Sequence, residues 1–177
     1  MKLVLIRHSE VIEKYQGKYN GHIDIPLSKQ GLEDAKALGN KLSSYNFDAI
    51  YCSDLKRCRQ TLEQLNIPQK ATFTNKLREK SWGRHEGLSF NEIEASGITY
   101  TTFHEWIEQL DGEEVSHFTQ RVEEFFFEDL QKESLNTVLI ITHSGVIKTL
   151  LGRTKNLDLE ESFSIVLPYS SVTEILL

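Results

Sequence analysis

The chain has 177 residues, 39% hydrophobic and 26% charged, enough for one well-cored globular unit and demanding no second. Its 20 basic and 26 acidic residues leave a net charge of -6; this excludes a nucleic-acid partner held by a bulk positive field, but not a small anion held by local arginines. Cys52 and Cys58 fit no disulfide or metal framework, the apolar start reads as too short for a signal peptide, no membrane-spanning segment is apparent, and a cytoplasmic location is expected.

In chain order, residues 3–6 are short, apolar and non-alternating, which predicts a strand buried on both faces. Residues 9–26 read as a polar loop punctuated by Gly17, Asn20-Gly21 and Pro26. Ser28 is the expected N-cap of a helix over 29–44, with Leu32, Ala35, Leu38, Gly39 and Leu42 along one face. A second strand is expected over 48–52, a helix over 55–65 stopped by Asn66 and Pro68, and a third strand over 71–77. Ser89 with Glu92 matches a capping box and predicts a short helix over 90–96, and residues 101–110 predict another. Ser116 is expected to cap a longer helix reaching Lys132, with Phe118, Val122, Phe125, Phe126 and Leu130 as its apolar face. Residues 138–141 repeat the buried-strand pattern, 145–151 predict a short helix, and 163–167 and 171–177 predict two final strands. This alternation predicts an α/β protein, a three-layer α/β/α sandwich with a mostly parallel central sheet. Such sheets bind ligands beyond the carboxyl ends of their strands.

That rule gives the polar residues their meaning. The first buried strand ends in Arg7-His8, and the late one in Thr142-His143-Ser144-Gly145, so both imidazoles are expected at one sheet edge. A neutral imidazole is a good nucleophile toward phosphorus, and cationic neighbours favour the neutral form. Arg7 is the expected phosphate clamp, the amide of Ser144 at a helix start a further anion donor, and Arg57, at the start of the second helix, a guanidinium able to grip two oxygens. Glu79 in Leu77-Arg78-Glu79 is the candidate proton donor to a departing alkoxide, with Glu86 as its competitor. No two of the 6 histidines show ligand spacing with a cysteine, so no metal site is expected. Trp82, Phe90, Tyr100, Phe103 and Trp106 suit either a pocket floor or a core.

Taken together, Arg7-His8-Ser9-Glu10-Val11, the loop from Tyr19 to Ser28 with Gly31, Ser53 to Thr61, Leu77-Arg78-Glu79 with Gly83 and Glu86-Gly87, Gly112-Glu113, and Thr142-His143-Ser144-Gly145 resemble, in order, the motifs of the histidine phosphatase superfamily, also called phosphoglycerate mutase-like. The resemblance implies one domain over 1–177 with a small cap-like insertion at about 80–115, no cofactor, and a small phosphomonoester as partner, with no nucleic acid or membrane involved; oligomeric state is left open. By position it makes His8 the phosphohistidine nucleophile and Glu79 the proton donor. Arg7, Arg57 and His143 would hold the phosphoryl group, and Asn20 and Gly21 would lie where relatives touch substrate. Length and the Tyr19–Ser28 loop resemble α-ribazole phosphatases of cobalamin nucleotide-loop assembly most; broad-specificity sugar-phosphate phosphatases share most of these features. A mutase or a non-catalytic phospho-ligand module are the further alternatives. The chain departs from the pattern at Ser9 and Ser144, which stand where glycines are usual. Lys14 stands where many relatives place a phosphate-binding asparagine, and Glu114-Val115 replace the serine region of a Gly-Glu-Ser element.

Overall fold

β1 (Lys2–Arg7) divides its side chains between two cores. Leu3 and Leu5 join Val138, Ile140, Phe118, Phe126 and Ile147 on one face of the sheet. Val4 and Ile6 join Leu139, Ile141, Leu38 and Leu65 on the other. Each face of the strand is covered, so its sequence need not alternate. The computed structural model describes residues 1–177.

The sheet has five strands in the order β3-β2-β4-β1-β5, with β2 at Ala49–Ser53, β3 at Thr72–Thr74, β4 at Thr137–Thr142 and β5 at Val172–Leu176. β5 alone runs antiparallel, against β1. Helices α1 (Lys29–Leu42) and α2 (Lys56–Leu65) cover one face; α5 (Val115–Glu124) and α6 (Ser144–Lys155) cover the other. The expected three-layer architecture is the observed one. Ser28 caps α1 by accepting from the Gly31 amide, and Ser89 with Glu92 forms the expected capping box on α3 (Phe90–Glu94). α4 (Phe103–Gln109) starts behind Thr102.

Several expectations are corrected. Residues 163–167 are no strand: Leu159–Ser164 is helix α7, started by a capping box between Asp158 and Glu161. That cap outweighs the β-propensity of Phe163 and Ile165 because the helix packs Phe163 against Phe103, ring centroids 5.7 Å apart. Ser116 does not cap α5; the helix begins two residues earlier than that cap would give, at Val115, with Glu114 at the cap position. It then widens into a π-turn over Phe125–Asp129 and tightens over Leu130–Lys132, which turns both Phe125 and Phe126 into the core and leaves Phe127 partly exposed. The third strand is cut to three residues by a 3-10 turn at Asn75–Leu77. α6 outruns the expected 145–151 and ends at Asn156, whose left-handed φ of 54° closes the helix.

α1 and α2 meet where Gly39 faces the backbone of Leu65, leaving no room for a Cβ. A mid-helix glycine replaced by alanine ordinarily gains up to about 1 kcal/mol. Here Gly39→Ala is expected to lose about 1–3 kcal/mol by overpacking. Chemical denaturation measures this, and a gain would show that the contact is slack.

Candidate active site

The site starts from one pairing. β1 and β4 lie parallel with Arg7 opposite Thr142, and the His8 amide continues the ladder by donating to the Thr142 carbonyl at 2.9 Å. His8 and His143 therefore leave the sheet side by side, ring centroids 5.2 Å apart at 62°. Both are buried. Nδ1 of His8 sits 2.8 Å from the Ser9 carbonyl oxygen, which can only accept. The proton is thus on Nδ1, and Nε2 carries the free lone pair. Burial first, then the charges of Arg57 and Arg7, pushes the His8 pKa well below 6.5. The ring is therefore neutral at neutral pH, with its lone pair on Nε2.

His143 is held differently. Its Nδ1 accepts from Nε of Arg57 at 3.2 Å, so in the neutral ring Nε2 donates to Ser53 Oγ at 2.8 Å. Burial, then Arg57, then His8 lower its pKa well below 6.5. Arg57 is 1% exposed on the first turn of α2. A buried guanidinium must satisfy its donors. It does so on the carbonyls of Ile23 at 2.9 Å and of Asn20 and Gly21 at 2.8 Å each. Arg57 thereby anchors the 20–23 loop, and both Arg57 and His143 lie behind His8 rather than on the cleft wall.

The cleft in front of His8 encloses about 310 Å³. Arg7, His8, Asn20, Glu79 and Ser144 line it; Gly21 does not, being packed under Lys80 and Trp82. Nη1 of Arg7 donates to the Leu167 carbonyl, its Nε has no hydrogen-bond partner, and the guanidinium carbon lies 4.1 Å from the Tyr169 ring centroid. Glu79 accepts from the Gly145 amide at 2.9 Å through Oε2 and from the Lys80 amide at 3.1 Å through Oε1. A Cβ on Gly145 would strike that carboxylate, which explains the glycine. The Glu79 carbonyl accepts from His22 Nε2 and from Nη2 of Arg121, each at 3.0 Å. Glu86, the competitor, spends Oε1 on the His22 amide at 2.7 Å and on Ser81 and Trp82 at 3.3 Å, off the cleft.

Sequence reasoning missed Lys148, Phe163 and Tyr169, which also line the cleft. Lys148 was findable: it lies four residues from Ser144, on the same face of α6. Tyr169 gave no local signal, since a non-repetitive loop carries it. Of the proposed aromatic floor, Trp82 alone reaches the cleft; Trp106 packs behind it against Tyr19 and Phe90, and Tyr100 and Phe103 belong to that same satellite core.

The sequence profile of the histidine phosphatase superfamily (branch 1) matches residues 3–177. The chain belongs to the histidine phosphatase superfamily. The adenosylcobalamin/α-ribazole phosphatase of Salmonella typhimurium is 32% identical over 162 residues, 86% of this chain and 79% of the relative. A broad-specificity phosphatase of Saccharomyces cerevisiae is 32% identical over 162 residues, 85% of this chain and 69% of the relative. The crystal structure of the α-ribazole phosphatase from Shigella flexneri superposes with a TM-score of 0.84 at 26% identity, covering 98% of this chain and 89% of that one. This histidine phosphatase handles its departures locally. The Ser9 hydroxyl is fully buried and pairs with Ser170 Oγ at 2.6 Å, Ser144 lines the cleft, and Lys14 is exposed beside Tyr15, off the cleft wall.

Two buried neutral histidines link stability to pH. Their folded pKa values lie below 6.5, so below that pH the unfolded chain binds more protons and acid favours unfolding. The stabilisation is complete above 6.5 and erodes as pH falls toward the folded values. Each histidine steepens that loss by up to about 1.4 kcal/mol per pH unit. Denaturation titrations between pH 7 and 5.5 should show a shallower loss in His8→Gln than in the unsubstituted protein; equal slopes would contradict the assignment of a neutral buried His8.

Proposed function

We propose that this enzyme hydrolyses phosphomonoesters through a phosphohistidine formed on His8. The observation that carries the reading is the bare Nε2 of a neutral, buried His8 opening onto a cleft that also holds Arg7 and Glu79. In the first step Nε2 attacks phosphorus while the bond to the ester oxygen breaks, and Glu79 gives its proton to that oxygen. In the second, Glu79 takes a proton from water, the water oxygen attacks phosphorus, and the bond to Nε2 breaks. Arg7, with an unpaired Nε, and the amide of Ser144 at the N-terminus of α6 meet the phosphoryl oxygens. Arg57 and His143 act from beneath: Arg57 contributes its charge, and His143 lies edge-on to the His8 ring. No step requires a metal.

The leading substrate is α-ribazole 5'-phosphate, in cobalamin nucleotide-loop assembly. Tyr19, Trp82 and Phe163 line the cleft away from the Arg7–Tyr169 stack and suit a heteroaromatic riboside, and the Salmonella relative bears that name. A broad-specificity sugar-phosphate phosphatase is the second reading, favoured by the yeast relative. Residues 80–115, with their satellite core around Trp82, Ile93 and Trp106, serve as a small cap on one domain spanning 1–177. A cap this small does not enclose an intermediate for re-phosphorylation, which sets the chain apart from a mutase. No helix is long and apolar enough to cross a membrane; the working location is the cytoplasm.

His8→Ala should abolish phosphate release from every ester, with EDTA leaving the parent activity intact; turnover by that variant would remove His8 as nucleophile. On a panel, α-ribazole phosphate should exceed glucose 6-phosphate in kcat/KM by about tenfold or more, and equal values would favour the broad reading. Glu79→Gln should lower kcat/KM, which reports the steps up to alcohol release and not the later hydrolysis of phosphohistidine, by about 10²–10⁴ on alkyl phosphates and far less on p-nitrophenyl phosphate, whose leaving phenolate needs no proton. Equal losses on both ester types would displace Glu79 as the acid.

A further inference from the structure

The loop at 167–171 wraps residues 7–9 from the β5 side. The Arg7 amide donates to the Ser171 carbonyl at 3.1 Å, and the Ser170 amide reaches the His8 carbonyl at 3.4 Å. The Leu167 carbonyl accepts from Nη1 of Arg7, and the Tyr169 ring lies 4.1 Å from the guanidinium carbon and 5.6 Å from the His8 ring. Ser170 holds a φ of 57°, in the left-handed region that a serine enters only where its surroundings over-determine it. The turn is held by the Ser171 amide on the Pro168 carbonyl at 3.1 Å and by the hydroxyl of Ser9, itself fully buried, at 2.6 Å from Ser170 Oγ. The buried Ser9 hydroxyl needs a partner, and the half-buried Ser170 hydroxyl supplies it. Ser9 stands where the family pattern has glycine, so this bond is a feature of this chain's own sequence.

We propose that residues 167–171 are a brace that pre-orients Arg7 for phosphate, with Tyr169 stacked on the guanidinium and the Ser9–Ser170 hydroxyl pair pinning the loop to the nucleophile segment. A free arginine side chain loses much rotamer freedom when it grips an anion; one already stacked and singly bonded loses less. Its Nε, without a protein partner, is then presented in a fixed direction. Tyr169 is a positioning residue, acting through Arg7. The inference rests on reading the cleft as a phosphoryl site.

The test compares Tyr169→Leu, Tyr169→Phe, Ser9→Gly, Ser170→Gly and S9G/S170G with the parent protein. Affinity for inorganic phosphate is measured by calorimetry, and kcat/KM on p-nitrophenyl phosphate and on glycerol 3-phosphate. Tyr169→Leu should weaken phosphate binding about tenfold and lower kcat/KM by a similar factor on both esters, while Tyr169→Phe, which keeps the ring, stays within about threefold. Each serine variant should weaken phosphate, and the double variant should lose no more than the worse single, because one shared bond is removed. Glycine accepts the left-handed backbone at 170, so that variant folds. Unchanged phosphate affinity in Tyr169→Leu overturns the brace. So does a loss confined to the aryl ester, which would mean that the ring touches the leaving group, or additive losses in the double variant. If the parent binds phosphate but releases none from any ester, the phosphatase reading falls while the phosphate affinities still decide the brace; if it binds no phosphate, both fall.

Discussion

Everything at the site depends on the parallel register of β1 against β4. Lys2 pairs with Thr137 and Arg7 with Thr142, and the bond from the His8 amide to Thr142 extends that ladder one residue past the strand. Two histidines more than a hundred residues apart in sequence thus share one edge. A slip of one residue would turn one set of side chains to the opposite face. The slip is resisted from both sides at once, because Leu3 and Leu5 are committed to the core under α5 and α6, and Val4 and Ile6 to the core under α1 and α2. Each of these buried side chains is worth about 1.5–3 kcal/mol, so a misregistered pair would forfeit several times the stability any single polar contact contributes. The catalytic edge is accurate because the apolar interior is.

On that frame the electrostatics follow from burial. His8 and His143 lose their charge to a dry setting beside two guanidinium groups, and the guanidinium groups hydrogen-bond carbonyl oxygens instead of carboxylates. Arg57 takes three carbonyls from the 20–23 loop and Arg7 takes the carbonyl of Leu167. The distinction matters for an anion-binding site. A carboxylate partner would neutralise the pocket, whereas carbonyl dipoles satisfy the donors and leave the net positive field to the phosphoryl group. The one carboxylate on the cleft wall, Glu79, bonds amides on Lys80 and Gly145 and no arginine.

The layered fold was legible because the cue was strong: two short apolar runs that end in histidine, flanked by helices with clear caps at Ser28 and Ser89. The positions of His8, Arg7, Glu79 and Ser144 at one cleft were legible because they sit at strand ends, beside a short turn and at a helix start, where local sequence dictates position. Arg57 was found by the same logic, but its contacts were not, since they are set by where a distant loop lies down. The miss at 163–167 came from weighing Phe163 and Ile165 as strand formers and overlooking the Asp158–Glu161 box that starts a helix there. The miss at Ser116 is of the same kind: serine has the cap propensity, while the real boundary follows the turn after Gly112, whose φ of 94° and contact with Gly83 fix the chain entering α5. Tyr169 and Lys148 act only through the tertiary arrangement, and Tyr169 carried no periodicity to read.

The proposed proton donor shows how far such non-local control extends. Glu79 follows the short turn after β3, which by itself would leave the acid loosely held. Arg121, on α5, pins it by donating to the carbonyls of Lys76 at 2.9 Å, Arg78 at 2.8 Å and Glu79 at 3.0 Å. Arg121 is in turn fixed by Glu113, at 2.6 and 2.8 Å. The departure at Glu114-Val115 from the family's Gly-Glu-Ser element therefore leaves the acid undisturbed, because the work falls on Glu113 and on the turn at Gly112 that delivers it. Backbone carbonyls, not the Glu79 side chain, receive this clamp, so both carboxylate oxygens stay free to bond amides at the cleft. The phosphoryl end of the site is thus built on strand termini and the acid on a braced turn. The leaving-group side is built from α6, α7 and loops, the elements in which side chains can change without disturbing the register of β1 and β4.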